Sequence, residues 1–170
     1  MDKIRCSWVS EDKSYQEYHD KEWGIAVLDC QELFAKLCLD GQQAGLSWIT
    51  ILKKQANYEA AFFNFDPVKI ATLTEDDVER LMQDKGIIRN RLKIRAIIKN
   101  ANAYLAIEAS GVSFSDYIWQ FVEGKTVINA WPSMTDVPTS TEQSDKMAKD
   151  LKKRGFSFVG TTICYAFMQA

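Results

Sequence analysis

Asp40 precedes the stretch Gly41-Gln42-Gln43-Ala44-Gly45-Leu46-Ser47-Trp48, where two glycines and two glutamines interrupt otherwise apolar, helix-like sequence. The chain has five tryptophans, and Trp8, Trp23 and Trp48 fall in the first 48 residues together with Tyr15 and Tyr18. Aromatic faces beside a carboxylate suit a flat, electron-poor heterocycle. The ring quadrupoles attract positive charge, and the acid accepts from an exocyclic amine. Pattern alone also admits a plainer reading, with Asp40 as a helix-end acid and some of the aromatics as core.

A second group with chemical potential lies around Gly86. From Asp84 to Lys99 there are six basic residues (Lys85, Arg89, Arg91, Lys93, Arg95, Lys99) against one acid, a local balance of +5. A short turn between two helices, with Gly86 in it and backbone N–H groups at the start of the second helix, can cradle phosphate. Arg89 and Arg91 would add charge-assisted hydrogen bonds. The alternative is an amphipathic helix with a Lys/Arg-rich solvent face.

Composition narrows the remaining chemistry. His19 is the single histidine, so a multi-histidine metal centre is excluded, and no Gly-x-Ser-x-Gly, Walker or Gly-x-Gly-x-x-Gly pattern is present. With 21 basic and 23 acidic residues the net charge is −2, so a nucleic-acid site must be a local patch. Cys6, Cys30, Cys38 and Cys164 form no CxxC pair; reduced thiols are expected, with the last three as small buried hydrophobes. The start Met1-Asp2-Lys3-Ile4-Arg5 lacks the apolar core of a secretory signal, and there is no long apolar run. A soluble, cytoplasmic protein without a membrane partner is expected.

The elements that must position these groups read as helices. Asp29-x-x-Glu32 resembles a capping box opening a helix that Gly41 ends, and Gln43 to Phe63 reads as one long buried helix. Asp66-Pro67 starts a short helix, Thr74-x-x-Asp77 caps the next, and Gly86 is placed as its left-handed terminator. A helix from about Asn90 stops at Gly111. Others are expected over Phe114 to Val122, Glu142 to Lys153 and Thr161 to Ala170, with an irregular stretch from Gly124 to Thr139. No strand alternation is long enough for a sheet. The expected fold class is all-α, one helical domain over residues 1–170.

Four motifs in register, Cys6-Ser7-Trp8-Val9, Tyr18-His19-Asp20-Lys21-Glu22-Trp23-Gly24, Gly41 to Trp48, and Gly160-Thr161-Thr162-Ile163-Cys164-Tyr165, closely resemble the 3-methyladenine DNA glycosylase I family. The resemblance spans essentially the whole chain. It implies the helix-hairpin-helix DNA glycosylase fold, with that element at about 75–109. It also implies monofunctional hydrolysis of the N-glycosidic bond of 3-methyladenine, the first step of base excision repair. The partners it implies are alkylated double-stranded DNA and free 3-methyladenine as product, and a monomer is the default.

Carried over residue by residue, the resemblance puts the flipped base against Trp48, with Trp8, Tyr18 and Trp23 lining the pocket and Asp40 recognising the base. Gly45 and Leu46 correspond to the turn that approaches the duplex, where an apolar wedge fills the gap left by the extruded nucleotide. As a plain pattern, Leu46 could equally be core. At position 40 the family usually has glutamate, and the shorter aspartate moves its carboxylate by about 1 Å. Cys6 and His19 match half of a structural zinc site. Tetrahedral zinc needs four ligands, so zinc is expected only if the chain continues past Ala170, and catalysis requires no cofactor. The rival implied by the same residues is a non-catalytic helix-hairpin-helix module that binds DNA or a purine-like ligand.

Overall fold

The computed structural model describes residues 3–170. Met1 and Asp2, part of the N-terminal stretch read above for a secretory signal, lie outside the described residues. The described residues contain helices and turns and no strand. In chain order the helices are α1 (Lys13–Lys21), α2 (Cys30–Gln42), α3 (Trp48–Leu52), α4 (Gln55–Ala61), α5 (Pro67–Ile70), α6 (Glu75–Leu81), α7 (Arg91–Ala109), α8 (Phe114–Trp119), α9 (Glu142–Lys153) and α10 (Thr161–Gln169). None is long and apolar enough to cross a membrane.

Local chemistry explains most boundaries. Thr74 with Asp77 and Thr141 with Ser144 form reciprocal capping boxes, while Asp12, Asp66, Asn90 and Ser113 accept from first-turn N–H groups. The Asp29 cap is one-sided: its carboxylate accepts from Glu32 N at 2.9 Å and no reciprocal bond closes the box. Gly111 and Gly155 follow α7 and α9 with φ of +93° and +99°, the left-handed turn that a side chain disfavours.

Helix α2 is the central element and packs on α7, α8 and α10. Phe34 and Leu37 of α2 meet Ile51, Tyr58, Phe62, Ile94, Ile97 and Phe114 in one core. Burying a side chain of this size contributes about 1.5–3 kcal/mol, so this core is the main source of cohesion around the site.

Several expectations are corrected. The segment Gln43 to Phe63 is not one helix: Gly45 takes φ +78°, Ser47 is extended, and the chain restarts as α3 and then α4. Gly41 does not end α2. It lies inside the helix where a Cβ would sit 2.9 Å from the Phe158 carbonyl oxygen, so its role is close approach. Gly86 is not left-handed either; a Cβ there would meet Asn57 Cγ at 2.9 Å. Helix α1 was not anticipated, because its sequence is polar apart from the buried Tyr15 and Tyr18.

Candidate active site

The aromatic residues converge through three different elements. Trp48 opens α3, Tyr18 comes from α1, and Trp8 and Trp23 flank α1 on either side. Their rings form a chain: Trp48 to Tyr18 at 5.6 Å, Tyr18 to Trp8 at 6.5 Å, and Trp8 to Trp23 at 5.4 Å between centroids. All four line one cleft with Asp40, Lys36, Leu39 and Tyr165. Lys36 Nζ, which bonds Asp40 Oδ1, also bonds Tyr18 Oη and lies over the Trp48 ring, so these two rings stand beside the acid's partner, and Trp23 is two rings beyond Tyr18. Trp23 instead stacks on His19 at 5.7 Å.

Asp40 projects from the last turn of α2, with only 3% of its side chain exposed. Its Oδ1 accepts from Lys36 Nζ at 3.4 Å, while Oδ2 is buried with no partner. Burial outweighs the nearby ammonium and pushes its carboxyl up to about 6. The Tyr18 hydroxyl accepts from Lys36 Nζ at 3.0 Å, and burial, reinforced by Asp40, keeps it protonated far above the ordinary phenol range. Trp48 Nε1 and Tyr165 Oη are also buried without partners. An unsatisfied buried polar group costs about 1–3 kcal/mol, and this cleft concentrates three of them. A planar ligand with its own donors and acceptors would relieve that cost.

Gly45 and Leu46 form the turn between α2 and α3. Leu46 is 40% exposed, which removes the alternative that it belongs to the core. The turn is fastened from below: Lys93 Nζ donates to Gln42 O at 2.8 Å and Ala44 O at 2.7 Å. Gln42 Nε2 donates to Lys93 O at 3.0 Å, and Tyr58 Oη donates to Gln42 Oε1 and accepts from Ile88 N. The Leu46 turn is thus tied through α4 and α7 to the turn that holds Gly86.

That second turn differs from its sequence reading. Arg91 makes a two-bond ion pair with Glu79, at 2.8 and 2.9 Å, and Arg95 pairs with Glu75. Gly86 N is taken by Asp84 Oδ1 at 2.8 Å, and Lys93 is buried under the Leu46 turn. The patch of +5 is therefore largely neutralised across α6 and α7. Exposed Lys85, Arg89 and Lys99 have no ion pair among the described residues.

Cys6 and His19 are adjacent, but His19 Nε2 accepts from the Cys6 backbone N–H at 3.4 Å and Nδ1 faces Asp20 at 3.0 Å. Among the described residues no group of three or more His, Cys, Asp or Glu could hold a metal ion. Two donors do not fit four-coordinate zinc.

Sequence reasoning missed Lys36 and Tyr165 as cleft residues. The spacing of Lys36 and Asp40, four residues apart on one helix face, is the available signal for the first; Tyr165 ends the motif Gly160-Thr161-Thr162-Ile163-Cys164-Tyr165, whose spacing alone points to no role.

The methyladenine glycosylase family model matches residues 8–170. DNA-3-methyladenine glycosylase 1 of Escherichia coli (strain K12) is 58% identical over 166 residues, covering 98% of this chain and 89% of that protein. A crystal structure of 3-methyladenine DNA glycosylase I superposes with a TM-score of 0.97 at 59% identity, covering 98% of this chain and 92% of that one. A tyrosine-to-phenylalanine variant of a 3-methyladenine DNA glycosylase I, solved in complex with 3-methyladenine, superposes with a TM-score of 0.94 at 39% identity, over 98% of this chain and 89% of that one. The chain belongs to the methyladenine glycosylase family.

Proposed function

We propose that this protein is a DNA repair glycosylase that hydrolyses the N-glycosidic bond of 3-methyladenine in alkylated duplex DNA. The observation that carries this reading is the buried, unpartnered Asp40 Oδ2 set beside the Trp48 and Tyr18 rings, in a chain of this family.

Alkylation at N3 makes the purine cationic within the nucleotide, so the base departs neutral and needs no strong acid catalyst. The protein's task is to extrude the nucleotide and hold the base. Trp48 and Tyr18 supply aromatic faces, Trp8 and Trp23 back them, and Asp40 accepts from the exocyclic amine. Water then adds to C1′ as the C1′–N9 bond breaks, the electron pair leaves with the base, and the water's surplus proton passes to solvent. The shorter acid at position 40 is a recognition residue before it is a proton-transfer agent.

Under this reading α6, the turn at 82–90 and α7 form the helix-hairpin-helix element, with Arg89 against phosphate and Gly86 giving close approach. Leu46, exposed on its braced turn, is the wedge. Arg91 contributes only if it exchanges Glu79 for phosphate. In this reading the protein acts as a monomer in the cytoplasm. Hydrolysis of a base that carries its own positive charge calls on no cofactor.

Titration with free 3-methyladenine tests the pocket: tryptophan fluorescence is expected to quench saturably, and Trp48→Ala to abolish most of the change. A flat titration of the wild-type protein contradicts the reading.

A further inference from the structure

The reading above leaves Lys36 without a task. It stands one helical turn before Asp40 on α2, with Nζ 3.4 Å from Asp40 Oδ1 and 3.0 Å from Tyr18 Oη. The same ammonium lies 3.8 Å from the centroid of the Trp48 ring and 5.2 Å from that of Tyr18. Side-chain exposure is 23% for Lys36 and 3% for Asp40. This lysine is folded into the cleft instead of extending into water.

A carboxylate buried that deeply stays ionised only with help. Burial drives the Asp40 carboxyl up, and Lys36 opposes it by charge and by hydrogen bond. The other groups around the acid supply no such help. Helix α1 brings the Tyr18 phenol, held neutral by burial, and at its end the Glu22 carboxylate, which acts on Lys36 and Tyr18. Helix α10 brings the Cys164 thiol, pushed up to about 12 by burial, and the Tyr165 phenol in the cleft wall. From α7 comes Lys93, whose ammonium is engaged by the carbonyls of Gln42 and Ala44. Trp48 of α3 is an uncharged indole. Lys36 is the cation that touches the acid.

Its position is also the one assigned to the base. The ammonium lies over Trp48 and bonds Asp40, the two contacts that the flipped purine makes in the glycosylase reading. An ammonium and an N3-alkylated purine each carry one positive charge, so either neutralises the acid and either is drawn to the face of an indole. A purine stacked on Trp48 displaces Nζ from that face and brings its own charge to Asp40, while the flexible four-carbon stem lets the lysine withdraw.

Resting on the glycosylase reading, we propose that Lys36 is a positioning residue for the reaction: in the empty cleft its ammonium stands in for the cationic base, holding Asp40 as the accepting carboxylate with Oδ2 unengaged, and it hands both contacts over when the base enters. The sign of the effect follows. Without the cation Asp40 takes up its proton at a higher pH, so the accepting form is lost earlier as pH falls.

The test is the pH dependence of 3-methyladenine release from methylated duplex DNA, with kcat and kcat/KM measured from about pH 5 to about pH 9 for the wild-type protein, Lys36→Met and Lys36→Arg. The acid limb of kcat/KM reports the empty cleft and that of kcat the occupied one. In Lys36→Met the midpoint of the kcat/KM limb rises by about 1–2 pH units, so the loss reaches up to about tenfold near pH 7 and narrows toward pH 9, while the kcat limb moves by under about 0.5 unit. Lys36→Arg, which keeps the cation, holds both limbs within about 0.5 unit of wild type. A kcat/KM limb that stays in place in Lys36→Met, with any loss equal at every pH, overturns the proposal. Should that variant not fold, Lys36→Gln, which keeps a donor and loses the charge, is read in the same way: a raised limb supports the proposal and an unmoved one overturns it. Release of no base by the wild-type protein sinks the glycosylase reading itself. Quenching by free 3-methyladenine over the same pH range, compared between wild type and Lys36→Met, then decides for Lys36: a limb displaced upward in the variant supports its role, and coincident limbs overturn it.

Discussion

Lys93 is the residue whose removal tests how the turn that carries Leu46 is held. It is 5% exposed, and its Nζ donates at 2.8 and 2.7 Å to the carbonyls of Gln42 and Ala44, at the C-terminal end of α2 and in the turn beyond it. A cation there also favours the negative end of the helix dipole. Burial lowers the pKa of Lys93, so part of the gain is offset by desolvation. Lys93→Met keeps the apolar stem and removes only the ammonium. Losing two charge-assisted bonds at about 1.5–3 kcal/mol each, less the desolvation recovered, leaves a net loss of about 2–3 kcal/mol. With an m-value of about 2 kcal/mol/M, the urea midpoint falls by about 1 M. The assay is equilibrium urea unfolding followed by circular dichroism and by tryptophan fluorescence. In native buffer, base release from duplex DNA should fall more than affinity for free 3-methyladenine, because the loosened turn carries Leu46 and not the aromatic rings. A midpoint shift under about 0.3 M would refute the argument that these two bonds brace the turn.

Asp40 carries a pH prediction. Its carboxyl is raised to about 6 by burial, so it is neutral below that pH and the accepting carboxylate predominates above it. Base release is expected to decline as pH falls through about 6, and Asp40→Asn, measured over the same range, to lose that limb along with most of its activity. Arg89→Ala should weaken binding to any duplex and lower the salt slope by about 1. Arg91→Ala should do less, since Arg91 is engaged with Glu79; filter binding across salt concentrations separates the two. Gly41→Ala places a Cβ 2.9 Å from Phe158 O, a backbone atom that cannot swing away. Overpacking of about 1–3 kcal/mol outweighs the helix-propensity gain of about 1 kcal/mol, so its thermal midpoint should fall.

What the sequence made legible was local. Thr74, Asn90 and Thr141 mark helix starts, because a side chain reaching its own first turn needs no tertiary partner. The aromatic residues and Asp40 were recognisable as types suited to a planar cation, and the structure lines one cleft with them. Charge was misleading where pairing is tertiary. Arg91 and Arg95 read as a free basic face, yet α6 brings Glu79 and Glu75 across to them. Lys93 read as one more surface cation and is instead buried beneath a turn some fifty residues earlier in the chain. Gly41 and Gly86 looked like helix stops because glycine has two distinct uses, left-handed backbone and close approach, and only packing against Phe158 and Asn57 tells them apart. Lys36 shows the same limit: its spacing from Asp40 was visible, but its place over Trp48 depends on how α3 meets α2.

The most direct test of the central claim is release of free base from methylated duplex DNA, with Asp40→Ala beside the wild type. The account predicts 3-methyladenine release by the wild-type protein and a drop of about 100-fold or more in the variant. Duplex binding with no base released by the wild type contradicts it.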